Sequence, residues 1–206
     1  MTNPDRLNGA LPWLLKIHWI SSALCLLGML LFSVTGITLN HPTAVEARPQ
    51  ITRTVLALPE AVAVELSVAR EQHPLEVLPT SAVNWLQAAF KVNVADAKAE
   101  WSVDEIYLPL PKPGGDAWVR IDLAAGEAEY ELTDRGWVSW ANDLHKGRHT
   151  GEAWSLFIDV LAIGCLLFSL TGLLILKAHA LRRPLTWPMV GLGALIPFLL
   201  MLLFIH

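Results

Sequence analysis

Five of the seven histidines stand at the ends of apolar runs, where imidazole has no packing reason to be. His18 and His41 bracket one run, and His145, His149 and His179 bracket another. Histidines grouped at both ends of membrane-length helices point to a bound metal or haem, because neutral imidazole is a common metal ligand and an axial ligand of haem iron. Asp159 stands about two turns into the second run. An acid inside a membrane is expensive, so it is a candidate for tuning a ligand histidine or carrying a proton, with structural pairing as its ordinary role. No nucleophile–base pattern, Gly-rich phosphate loop or Cys-rich metal motif occurs in the chain.

The same helices carry a repeat. Leu30-Leu31-Phe32-Ser33-Val34-Thr35-Gly36 recurs as Leu166-Leu167-Phe168-Ser169-Leu170-Thr171-Gly172, with only Val34 against Leu170 differing. Small residues let helices approach closely, and Ser or Thr can hydrogen-bond across them. If the two helices run in opposite directions, each Thr-Gly faces the histidine-bearing end of the other. That arrangement predicts an outer site of His41 with His145 or His149, and an inner site of His18 with His179. His145 and His149 are four apart, so on a helix they share a face.

The elements that must position these residues follow from hydropathy. The chain has 206 residues, 53% of them hydrophobic, and a mean hydropathy of +0.44. The apolar residues gather in Trp19–Leu39, Ala153–Leu176 and Trp187–Ile205. Each run is about 20 residues or more, enough to cross a hydrocarbon core. At 1.5 Å per residue, His18 to His41 spans about 35 Å if helical, and His149 to His179 about 45 Å. Gly147 and Gly151 are natural bends in the second segment. Three transmembrane helices are predicted, at 13–40, 152–176 and 186–206. The first is too long for the apolar region of a signal peptide, and its flanks lack a cleavage site, so a retained anchor is expected.

Basic residues in short loops set orientation. Arg6 and Lys16 precede the first apolar run, and Lys177, Arg182 and Arg183 lie between the second and third, so 1–12 and 177–185 are expected on the cytoplasmic side. Segment 41–151 is then expected outside, as is the C-terminal His206, a further candidate for the outer site. Residues 41–151 hold 16 acids and 10 bases, whereas the remainder holds 3 acids and 5 bases. That split argues against nucleic acid as a partner. Trp13, Trp19 and Trp187 read as one interfacial aromatic belt and Trp137, Trp140 and Trp154 as the other. Cys25 and Cys165 fall in apolar runs and read as small buried hydrophobes rather than a disulfide framework.

Between the first two helices, the spacing predicts helices over Ala57–His73 and Ser81–Lys91. A strand is predicted through Val103, Ile106, Leu108 and Leu110, then a turn at Pro111–Gly115, then alternating strands from Trp118 and from Glu127. The expected fold is an α-helical membrane protein with one extracytoplasmic α+β domain inserted between helices one and two. His73, before Pro74, reads as an ordinary surface residue.

Lys16-Ile17-His18-Trp19 opening a helix that closes on Thr35-Gly36 resembles the PepSY-associated transmembrane helix proteins of bacteria. So does Leu144-His145-Lys146-Gly147-Arg148-His149-Thr150-Gly151 before a helix closing on Thr171-Gly172. Trp118–Asp122 followed by Gly126-Glu127 looks like a PepSY strand-turn. The resemblance covers nearly the whole chain. It implies a multi-pass inner-membrane protein with a periplasmic PepSY domain. Some relatives are haem-binding reductases that pass electrons to ferric siderophores. In those terms His18 and His145 match the family's histidines, and His149 lies in an extended form of the second motif; His41 and His179 rest on placement alone. Haem b, one or two per chain, is the implied cofactor. The implied partners are the lipid bilayer, an electron donor protein or quinol, and a periplasmic acceptor or partner protein. The chain is shorter than the large reductases, which leaves open a homodimer that completes a site. A non-enzymatic PepSY regulator binding an envelope protein is the alternative reading, and a copper- or iron-loading site at His41, His145 and His149 is a third.

Overall fold

The computed structural model describes residues 4–42, 48–72 and 77–205. In chain order its elements are α1 (Pro4–Asn40), β1 (Gln50–Ala57), α2 (Glu60–Gln72), α3 (Thr80–Phe90), β2 (Glu100–Trp101), β3 (Glu105–Pro109), β4 (Gly115–Asp122), β5 (Glu127–Asp134), α4 (Gly136–Lys146), α5 (Glu152–His179), a 3-10 turn (Ala180–Arg182) and α6 (Thr186–Phe204). Two compact units divide the chain: residues through Leu31 together with those from Leu156 onward, and Phe32–Ser155.

In the first unit, three helices are long and apolar enough to cross a membrane: Gly9–Asn40, Glu152–Arg182 and Thr186–Phe204, the first extending into the second unit. Their exposure pattern inverts that of a soluble bundle. Leu24, Leu27 and Leu166 are 78%, 77% and 62% exposed, while Ser21, Cys25 and Thr171 are buried. Lipid solvates leucine as well as another helix does, so the contact goes to small and polar residues that permit close approach. His18 meets Phe168 and Thr171, Cys25 meets Leu161 and Gly164, and Gly28 meets Leu161, so α1 and α5 run antiparallel. A groove of about 510 Å³ runs beside this contact, lined by Ile17, Ser21, Leu24, Cys25, Phe157 and Leu167 among others.

The second unit holds a five-stranded antiparallel sheet in the order β1-β5-β4-β3-β2. Alternation sends Ile106, Leu108, Val119, Ile121 and Ala128 to one face, where they are fully buried with Leu66 of α2 and Leu86 of α3. The opposite face carries a ladder of charges. Arg53 bridges Glu129 (2.9 Å) and Glu131 (2.6 Å), Arg120 bonds Glu129 (2.8 Å), and the Trp118 indole N–H donates to Glu131 (3.2 Å).

Several boundaries differ from the sequence expectation. Ala57 ends strand β1 rather than opening a helix, and α2 starts only after Pro59, because the residue before proline is pushed out of the helical region. β1 escaped the sequence reading because all eight of its residues are exposed, so no buried alternation marks it. Val103 lies outside β3 and is 77% exposed. Lys91 caps α3 in the left-handed conformation (φ 57°) instead of continuing it. His73 and His206 lie outside the described residues.

Candidate functional site

Each copy of the repeat holds one histidine of another helix. His18 of α1 lies on the α5 copy: its Nδ1 is 3.1 Å from both the Phe168 carbonyl and the Thr171 hydroxyl. Its ring stacks on Phe168 at 4.7 Å and 15°. Gly172 makes room, for a Cβ there would lie 3.2 Å from His18 Cε1. His145 of α4 lies on the α1 copy with the same three partners: Nδ1 is 2.6 Å from the Thr35 hydroxyl, the ring packs on Phe32 at 4.6 Å, and Gly36 lies beside Cε1.

The carbonyl contact fixes the tautomer of His18. A carbonyl only accepts, so His18 Nδ1 carries a hydrogen and donates it toward Phe168 O and Thr171 Oγ1. The Thr171 hydroxyl hydrogen goes instead to the backbone of its own helix, at Leu167 O (2.6 Å) or Phe168 O (3.0 Å). At the second cradle Thr35 Oγ1 lies 3.2 Å from Phe32 O and 2.6 Å from His145 Nδ1, so a hydroxyl that donates to the carbonyl accepts from Nδ1–H. In the neutral imidazole Nε2 is then the unprotonated nitrogen of His18, and of His145 in the tautomer that donates to Thr35. Both rings are half-buried, and no hydrogen bond of either Nε2 is described.

Local structure in the second unit sets His145 in place. α4 is docked on the β3–β4 turn: Asp143 accepts from Gly114 N–H (2.9 Å) and Gly114 O accepts from Arg135 N–H (2.9 Å). Gly114 has φ 75°, and a Cβ there would strike the Trp140 backbone, so only glycine allows the approach. Thr38 donates to Asn142 (2.6 Å), one helical turn before His145, and the Trp154 indole donates to the Leu144 carbonyl (2.8 Å).

The other candidates sit differently. His41 and His179 each donate from Nδ1 to a carbonyl of their own helix, Ile37 (3.0 Å) and Ile175 (2.9 Å), and both are exposed. His149 does not share a helical face with His145: α4 ends at Lys146, Gly147 caps it, and His149 itself has φ 56°. Asp159 is exposed on α5, with no hydrogen bond or ion pair described for it. Among the described residues no three His, Cys, Asp or Glu side chains gather as a metal group. The sequence singled out the Thr-Gly pairs but not the stacking role of Phe32 and Phe168, although both lie within the repeat. It also missed α4, whose signal was the helical spacing of Trp137, Trp140, Ala141 and Leu144.

Helices that turn leucine outward, bury small polar residues and seat a histidine on each repeat define a membrane protein with paired interhelical histidine sites. The family model described as PepSY_TM-like matches residues 10–206, and the chain belongs to that family. No curated protein and no solved structure matches the chain.

Proposed function

We propose that this chain is an electron-transfer protein of the bacterial inner membrane, holding haem b through His18 and His145 and serving an acceptor on the periplasmic side, such as a ferric siderophore. The observation that carries the reading is the shared Nδ1 bond to threonine in both cradles. Ligating histidines characteristically donate their other ring N–H to a protein acceptor, which fixes orientation and raises basicity at the ligating nitrogen. The donor set therefore fits haem iron, with one imidazole offered per cradle.

Held by these imidazoles, haem would supply a one-electron couple. The chain's own residues do the rest. Thr171 and Thr35 hold the tautomer, Phe168 and Phe32 fix the ring planes, and the leucine-rich helix surfaces keep water away. Asp159 is the candidate for tuning or proton transfer, and the positive-inside pattern of Lys16, Lys177, Arg182 and Arg183 supports a periplasmic sheet domain. Donor electrons come from another protein or from quinol.

The test is a dithionite-reduced minus air-oxidised spectrum of detergent-purified protein, with haem quantified per chain. A b-type band that is lost in His18→Ala or His145→Ala, and kept in His41→Ala, His149→Ala and His179→Ala, is expected. Haem-free protein from haem-replete cells would overturn the reading. The cradles would then be structural latches, and the chain a PepSY regulator docking an envelope protein through its sheet domain.

A further inference from the structure

We infer that the free edge of β1 is where a second copy of this chain pairs, strand to strand and antiparallel, about a twofold axis at Thr54. β1 is the terminal strand of the sheet, hydrogen-bonded to β5 on one side and to no described strand on the other. Exposed strand edges are templates for pairing, and proteins blunt them with prolines, charges, bulges or very short strands. The opposite edge is blunted in this way, since β2 is two residues long. β1 is not. Its eight residues, Gln-Ile-Thr-Arg-Thr-Val-Leu-Ala, run between Pro49 and Pro59 without an internal proline. Its one charge, Arg53, is turned onto the sheet face by Glu129 and Glu131. Ile51 and Val55 are 63% and 49% exposed.

Register follows from the ladder. Leu58 N–H donates to Gly126 O (2.8 Å), which extends the β1–β5 pairing of Ala57 with Glu127 by one residue. Residues alternate in which edge their backbone groups address, so 58, 56, 54, 52 and 50 face β5 while Ile51, Arg53, Val55 and Ala57 face the free edge. A twofold at Thr54 sets Arg53 opposite Val55 of the second copy and Ile51 opposite Ala57. These are all outward-facing pairs, and they give about eight backbone hydrogen bonds. Thr54 meets its own copy at a close, non-hydrogen-bonded site, a favourable cross-strand pair. Centring on Arg53 instead would oppose like charges.

The occupant is a second copy rather than a loose peptide for two reasons. Copies anchored in one bilayer share an orientation and meet at high effective concentration. An isologous contact also closes at two, and the short β2 edge offers no route to a filament.

The test uses the full-length protein in its native membrane with Cys25→Ala and Cys165→Ala as background, oxidised with copper-phenanthroline. Thr54→Cys is expected to give a disulfide-linked homodimer. Thr52→Cys and Leu56→Cys, opposed in this register, are expected to cross-link when co-expressed and at least about 5-fold less when each is alone. Adding Val55→Pro removes an outward N–H but no bond to β5, so it is expected to abolish the Thr54→Cys cross-link while the sheet domain stays folded, read by its resistance to limited proteolysis. Monomeric Thr54→Cys, cross-linking of Thr54→Cys to a different protein, or equal homodimer from Val103→Cys would each overturn the proposal.

Discussion

The Nδ1 of His145 lies 2.6 Å from the hydroxyl of Thr35, and the same bond joins His18 to Thr171 at 3.1 Å. Two histidines far apart in sequence are thus held by the two copies of one seven-residue repeat. Each Phe, Thr and Gly plays the same part: a ring to pack on, a hydroxyl to bond Nδ1, and an absent side chain.

Replacing either threonine by valine keeps the shape and removes the acceptor. Thr171→Val leaves His18 with the Phe168 carbonyl alone, and Thr35→Val leaves His145 Nδ1 without its described partner. Each is expected to cost about 1 kcal/mol of stability, the net worth of a typical hydrogen bond. Imidazole nitrogen-15 NMR should show the tautomer loosening at His145 more than at His18. An unchanged tautomer in Thr35→Val would refute the cradle assignment.

The two glycines differ in a way that gives a direct comparison. A Cβ on Gly172 would lie 3.2 Å from His18 Cε1, tighter than ordinary contact, whereas one on Gly36 would lie 3.8 Å from His145 Cε1. Gly172→Ala should therefore displace the His18 ring and lower the thermal midpoint, while Gly36→Ala is tolerated. Equal effects in calorimetry would contradict the geometry.

Gly114→Ala acts at a distance. The new methyl meets Trp140 backbone at 2.7 to 2.9 Å in a residue already at φ 75°, so α4 must shift from the β3–β4 turn. His145 is expected to lose its Thr35 bond while the His18–Thr171 bond persists, which separate histidine NMR signals can resolve. Both signals moving together would mean the two cradles are not independent.

Close helix approach at Gly164 can be tested by rescue. A Cβ there would lie 2.5 Å from Cys25 Sγ, and Cys25 is 3% exposed. Gly164→Ala is expected to destabilise by about 1–3 kcal/mol, the usual range for overpacking. Adding Cys25→Ala removes the colliding sulfur, and a double-mutant cycle should return much of the loss. Purely additive effects would show that the two helices do not meet there.

The sequence alone determined the three apolar spans, the repeat and the histidines at the helix ends, because hydropathy and local spacing are properties of contiguous residues. It also located β4, where burial alternates along the strand, and β5, where polar and apolar residues alternate from Glu127 to Leu132. β1 was illegible for the opposite reason: an edge strand exposed along its whole length carries no burial pattern, and its place beside β5 is set by pairing across about 75 residues of chain. Tertiary structure alone decided which histidine meets which partner. Sequence spacing set His145 beside His149, but the left-handed cap at Gly147 ends that helix and His149 itself is left-handed, and docking of Asp143 on Gly114 delivers His145 to Thr35 instead. The seating of both histidines depends on contacts between residues more than a hundred positions apart, and no local pattern encodes those.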